Sequence, residues 1–228
     1  TIPYQTIFSK GQMSDSFVCL ENTRLGITGE RNEDLVIKDG RISGFYRGLY
    51  CPYMNNSRIE QMVVSGNTQR GFYLNGSSGQ CNGNTIANCT ISDNDDDGVY
   101  LTGSYGQCNG NTIADCSISG NNNYGVYLDG SSSGQCDGNT IADCSISDNN
   151  SFGVYLYGWS SGQCDGNRVH GNQISKNVNR GISLYYAEGN RVEANNVWGT
   201  SGGTSYGIRT YLTTGNFILK NTCMGQTN

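Results

Sequence analysis

Hydrophobic positions in this chain alternate with polar or small ones over very short runs, as in Thr85-Ile86-Ala87, Thr90-Ile91-Ser92 and Val99-Tyr100-Leu101. Alternation of this kind is the two-residue period of a half-buried strand, and no segment shows the 3.6-residue spacing of a helix. The set then recurs. Gly98-Val99-Tyr100-Leu101 returns at Gly125 and Gly153, and Cys81, Cys108, Cys136 and Cys164 step by 27, 28 and 28 residues. A fixed period in this range marks a solenoid, whose units bury their apolar faces only against their neighbours.

The register can be followed well beyond the near-identical repeats. One inward column reads Ile37, Ile59, Ile86, Ile113, Ile141, Val169, Val192 and Ile218; five residues on, a second reads Ile42, Val64, Ile91, Ile118, Ile146, Ile174, Val197 and Cys223. Gly, Asn, Asp and Ser between the runs tolerate tight and left-handed turns. Three short strands per unit describe one coil of a parallel β-helix, each coil stacking on the last at about 4.8 Å. The Gly-Val-Tyr-Leu and Asn-Thr-Ile elements, followed by Thr/Ser-Ile-Ser, resemble the right-handed parallel β-helix superfamily of pectin lyases, polygalacturonases and alginate epimerases. The expected fold is therefore all-β, a right-handed single-stranded parallel β-helix of about eight coils with three short strands per coil. A single domain spans 1–228, with an irregular cap over 1–30, coils over 31–224 and a tail at 225–228.

Composition narrows the partners. A formal charge of -5 and a pI near 4.8 offer no basic stripe for phosphates, so nucleic acid is not expected. No apolar run approaches the roughly 20 residues that cross a bilayer. The chain starts at Thr1 and shows no signal-peptide pattern, which fits a mature secreted product or a segment of something longer. Ten cysteines, an even number, favour an oxidising compartment and hence a secreted or cell-surface protein. Cys51 and Cys223 replace inward aliphatic residues and read as buried thiols. Cys81, Cys108, Cys136 and Cys164 sit in insertions that lengthen four coils, whereas Cys89, Cys116 and Cys144 take a turn position held by Asn172, Asn195 and Asn221 later on. Small residues under the insertions, Ala87, Ala114 and Ala142, suggest loops that fold back over that face and bring loop cysteines to turn cysteines as disulfides. The pairing stays open, and one loop cysteine is left over. Zinc is a poor alternative, since these cysteines recur one per coil instead of clustering.

With Val99 and Leu101 inward, Tyr100 points out, and the same holds for Tyr50, Tyr73, Tyr127 and Tyr155. This column suits sugar rings, whose C–H faces pack on aromatics while their hydroxyls form hydrogen bonds. Stacking that only stabilises the sheet is the competing reading. Tyr124, Tyr157 and Trp159 flank the column, and the resemblance implies a substrate groove along one such strand face. Candidate catalytic residues are Asp97 and Asp129 as acid and base, for which paired carboxylates are the usual means of glycoside hydrolysis, and Arg180 as a lyase base. Asp96-Asp97 is similar to the paired aspartates of polygalacturonases. That family's Asn-Thr-Asp, Gly-His-Gly and Arg-x-Lys elements are missing, as is the Asp-Pro-His-Glu element of alginate epimerases. His170, the only histidine, reads as a solvent-facing strand residue.

Asp93, Asp95 and Asp97 before Gly98 match the opening of a calcium loop, but Ser104 stands where the closing glutamate belongs. An ordinary solvated turn is the preferred reading, so no cofactor is required and calcium is the one cation left open. Three functions follow. The first is an extracellular β-solenoid that binds polysaccharide or a surface glycan through the tyrosine ladder. The second is a polysaccharide hydrolase, lyase or epimerase; the third, a filament or appendage subunit that self-associates end to end, because a blunt β-helix end offers unpaired strand edges.

Overall fold

A computed structural model describes residues 25–28, 33–159, 161–200 and 205–225. Every strand is parallel to its partners. They assemble into three sheets of eight strands, and successive strands along the chain visit the three sheets in turn, the topology of a parallel β-helix. The first sheet holds Leu25–Thr28, Arg47–Pro52, Phe72–Asn75, Val99–Thr102, Val126–Asp129, Phe152–Tyr157, Arg180–Tyr185 and Tyr206–Tyr211. The second contains Thr85–Ala87 and the third Thr90–Ser92, each with its counterparts from the other coils. Within the expected cap, Leu25–Thr28 is already an in-register strand beside Arg47–Pro52; the remainder of 1–30 lies outside the described residues.

Alternation decides what is inside. Ile37, Ile59, Ile86, Ile113, Ile141, Val169 and Val192 stack as one buried column, and Ile42, Val64, Ile91, Ile118, Ile146, Ile174 and Val197 as another. Each fully buried aliphatic side chain contributes about 1.5–3 kcal/mol. Ile218 and Cys223 continue these columns in the last coil, where they are exposed. Between the second and third sheets the chain turns through one left-handed residue in each coil, such as Asn88 (φ 54°), Asp115 (φ 53°) and Asp143 (φ 52°). Asn and Asp adopt this conformation with less strain than other side chains.

Three axial ladders satisfy the turns. Asn94 donates from Nδ2 to Asn121 Oδ1 at 2.8 Å, Asn121 to Asn149 at 2.9 Å and Asn149 to Asn177 at 2.9 Å. Asn84, Asn111, Asn139 and Asn167 form a second ladder, with steps of 2.9, 3.1 and 3.1 Å. The third begins with Cys89, Cys116 and Cys144 and ends with Asn172, Asn195 and Asn221. Buried amides need such partners, because an unpartnered one costs about 1–3 kcal/mol.

The insertions stack as well. Gln80, Gln107, Gln135 and Gln163 pair across coils in backbone and side chain, with Nε2 to Oε1 distances of 3.2, 2.9 and 2.9 Å. Gly103 and Gly130 allow this closeness, since a Cβ there would meet the backbone oxygen of Gln135 or Gln163. The cysteine that follows each glutamine then enters the cylinder. Cys81 Sγ lies 3.8 Å from the Cys51 carbonyl, and Cys108, Cys136 and Cys164 face Leu74, Leu101 and Leu128 in the same way.

This placement corrects the disulfide expectation. Cys81, Cys89, Cys108, Cys116, Cys136, Cys144 and Cys164 are all free and buried. Loop and turn cysteines stand at opposite ends of the second-sheet strand, separated by about 10 Å of extended chain, beyond the roughly 4.4–6.8 Å Cα separation of a disulfide.

Candidate functional site

Strand alternation puts the tyrosines on the outer face of the first sheet, and parallel register puts them one above another: Tyr50, Tyr73, Tyr100, Tyr127 and Tyr155 are successive Cα partners. Their ring centroids are 5.0, 5.1, 4.9 and 5.2 Å apart. Ser183 and Arg209 succeed Tyr155 in the column, but the run of rings continues by a side step. Tyr155 meets Tyr157 at 5.5 Å, Tyr157 meets Tyr185 at 5.6 Å and Tyr185 meets Tyr211 at 5.1 Å. Tyr124 packs against both Tyr127 and Tyr155.

The two halves of this face differ. In the N-terminal half the rings are covered by arginine: Arg47 lies 4.9 Å from the centroids of both Tyr50 and Tyr73, and Arg70 lies 4.9 Å from Tyr73 and 4.1 Å from Tyr100. Guanidinium over a ring face is a favourable cation–π arrangement. In the C-terminal half Arg180 lies over Phe152 and Arg209 over Tyr206 and Tyr211, but the aromatic side chains stand further out. Trp159 is 44 % exposed and Tyr211 42 %, and Trp159 stacks on Tyr157 and Tyr185 with interplanar angles of 4° and 26°.

Acids join the face at its centre. Arg70 Nε is 3.0 Å from Asp97 Oδ2, and its Nη2 is 3.3 Å from Asp96. The Tyr100 hydroxyl donates to Asp129 Oδ2 at 2.6 Å, and Asp129 also accepts the backbone N–H of Ser131. Asp97 is 1 % exposed, and its carboxyl is pushed up to about 6 by burial first and then by the charge of Asp96. The Arg70 ion pair opposes this shift but does not cancel it, because desolvation of a carboxylate this deep outweighs one partner. Burial also lowers Arg70's affinity for its proton, yet Asp97 and Asp96 together hold it above its ordinary value. Tyr100, Tyr127 and Tyr155 are all raised, by burial above all.

The expected acid–base pair is therefore divided between two partners, Asp97 with Arg70 and Asp129 with Tyr100. Arg180 lies over the Phe152 ring at 4.4 Å. The calcium loop does not close, since Asp97 is committed to Arg70 while Asp93 and Asp95 face solvent. Arg70, Arg209, Tyr185 and Tyr211 share this face with the candidate residues, as strand alternation requires, and the aromatic that sequence reasoning missed is Tyr186. The doublet Tyr185-Tyr186 is the visible signal for it, because one of two adjacent residues must leave the strand alternation.

No curated protein matches the chain. Solved structures share its fold. The A-module of Azotobacter vinelandii mannuronan C-5 epimerase AlgE4 aligns over 90 % of this chain and 60 % of its own length, at 18 % identity and a TM-score of 0.64. A double mutant of the periplasmic alginate epimerase AlgG aligns over 82 % and 50 %, at 16 % identity and a TM-score of 0.65. The Dettilon tailspike protein gp208 aligns over 87 % and 55 %, at 14 % identity and a TM-score of 0.54. The chain thus spans half to three-fifths of the length of these structures, and at such identities the likeness concerns the fold. A family model described as right handed beta helix region matches residues 134–224, and one described as periplasmic copper-binding protein (NosD) matches residues 9–173.

The copper in that description has no fitting site among the described residues. Among the described residues no three His, Cys, Asp or Glu side chains converge. Burial pushes the Cys51, Cys108, Cys136 and Cys164 thiols well up, whereas soft metals take the thiolate. The fold and the match over well over half of its length make this chain a right-handed parallel β-helix protein belonging to the NosD family.

Proposed function

We propose that the protein modifies a polysaccharide that lies along the tyrosine sheet, parallel to the β-helix axis. One observation carries this reading: rings spaced 4.9 to 5.6 Å apart run without a break from Tyr50 to Tyr211, beside the Asp97 carboxyl, which burial pushes up to about 6. The part of this track free to meet a sugar is its C-terminal end, around Trp159 and Tyr211, because Tyr100 is buried beneath Arg70. Asp97 is the group able to exchange a proton in the working range, and Arg70 stands between it and solvent. The fold is shared with AlgE4, a mannuronan C-5 epimerase, and AlgG, an alginate epimerase, which supports a modifying enzyme. We further place the protein outside the cytoplasm, in line with the periplasmic family description. Among the described residues no helix is long and apolar enough to cross a membrane.

A second reading, binding without turnover, draws on the fact that Asp97 and Asp129 are each already engaged by a partner. The two part on one assay. The protein is incubated in D2O with a panel of neutral and acidic polysaccharides; deuterium incorporation, unsaturated products and new reducing ends are followed, and gel retardation is measured alongside. Product together with retardation is the expected result. Retardation without product selects the second reading, and the absence of both rejects the polysaccharide assignment.

A further inference from the structure

Arg180 and Arg209 stand on the tyrosine sheet without an ion pair among the described residues, whereas on the same sheet Arg70 meets Asp96 and Asp97 and Arg47 donates to Gln69. They occupy adjacent coils of the tyrosine sheet and act on each other: burial first, and then the charge of Arg209, hold Arg180 below its ordinary value. Arg180 Nε is buried without a hydrogen-bond partner, and Nη1 reaches only Ser183 Oγ, at 3.4 Å. Arg209 is the Cα partner of Ser183, the residue that Arg180 reaches, and a buried donor left without a partner is unfavourable unless an acceptor completes it.

The surface next to them is also built beyond what the core needs. Trp159, Tyr185 and Tyr211 stack into an open platform, with centroid separations of 5.8 and 5.1 Å. Tyr186 borders it at the left-handed corner that Tyr53 and Leu212 occupy in other coils, and its ring meets Trp159 and Tyr185 edge-on at 4.8 Å. Arg209 lies over the rings of Tyr206 and Tyr211, at 5.4 and 5.2 Å, and so connects the cationic pair to the platform.

We infer that Arg180 and Arg209 form an oxyanion subsite for an acidic polysaccharide, one whose sugar ring rests on the Trp159–Tyr185–Tyr211 platform. The inference rests on the polysaccharide reading above and adds the substrate class: a polymer carrying carboxylate or sulfate ester groups. A guanidinium fork matches the paired oxygens of either. An anionic ligand would supply the acceptor that Arg180 and Arg209 lack among the described residues.

Affinity gel electrophoresis tests it with four probes: polygalacturonate, its fully methyl-esterified form, a sulfated galactan and a neutral glucomannan. Wild type is expected to bind polygalacturonate, the sulfated galactan or both at least about tenfold more tightly than the esterified and neutral polymers. The preferred anion identifies the source. The Arg180→Gln/Arg209→Gln variant is expected to lose that preference while keeping its residual binding to the neutral polymers, and Arg209→Gln alone to lose part of it with its melting temperature unchanged. Equal wild-type affinity for charged and neutral polymers, or an undiminished preference in both variants, overturns the subsite but leaves the polysaccharide reading intact. Failure to bind any of the four overturns both.

Discussion

Arg70 in one coil holds Asp97 of the next coil at 3.0 Å while its guanidinium covers the Tyr100 ring 4.1 Å away, so a single side chain joins the acidic centre of the outer face to its aromatic column. The pair is unequal in its protonation. Asp97 stays near 6 despite the cation beside it, because burial and Asp96 oppose its charge.

Stability therefore depends on pH in a definite direction. An aspartate in the unfolded chain titrates near its ordinary 3.8, and Asp97 in the folded protein near 6, so the folded state holds the extra proton between these values. The contribution of this group is fully present below about pH 4 and is lost as pH rises through 6, by about 3 kcal/mol at 1.36 kcal/mol per pKa unit. Asp97→Asn is expected to flatten the slope of stability between pH 4 and 6, as read by urea unfolding across that range. A variant with the wild-type slope shows that another group is responsible.

The buried ladders predict cost by position. Asn121 is fully buried, accepts from the backbone N–H and Nδ2 of Asn94, and donates to Asn149. Replacing it with alanine leaves buried polar groups on both sides unpartnered, and a loss of about 3 kcal/mol is expected. Asn221→Ala, at the open last coil, is expected to cost less than about 1 kcal/mol, since water replaces the lost partner. Equal losses in denaturant unfolding contradict the ladder account.

Thiol accessibility separates the cysteines. In the folded protein iodoacetamide is expected to modify Cys223, which is exposed, and to spare Cys51, Cys81, Cys89, Cys108, Cys116, Cys136, Cys144 and Cys164 until the coils unfold. Peptide mass spectrometry before and after denaturation measures this. Rapid native labelling of Cys108 or Cys136 shows that the interior placement of the loop cysteines is wrong.

The architecture was legible because a solenoid repeats one decision. Once Val99 and Leu101 point inward, the register of every neighbouring strand follows, and Tyr50 through Tyr155 fall into the column that alternation requires. The cysteines were misread because spacing reports that residues share a corner but not whether two corners touch; Cys81 and Cys89 belong to different columns at opposite ends of one strand. The arginine cover on the first rings and the open platform at the other end were also hidden. Both depend on where long side chains lie across coils, as with Arg70 over Tyr100, and Tyr186 joins the platform only through a left-handed backbone that its residue type does not announce.

The central claim, that a polysaccharide lies along the tyrosine sheet, is tested most directly by comparing faces of the same solenoid. Affinity gel electrophoresis in polygalacturonate and in glucomannan is run with wild type, with Tyr185→Ala on the first sheet and with Thr112→Ala on the outer face of the second. For the polymer that retards wild type, Tyr185→Ala is expected to weaken binding by at least about tenfold, and Thr112→Ala to leave it unchanged. Wild-type retardation by the Tyr185 variant, or a loss confined to the Thr112 variant, contradicts the assignment of the tyrosine sheet as the polysaccharide track.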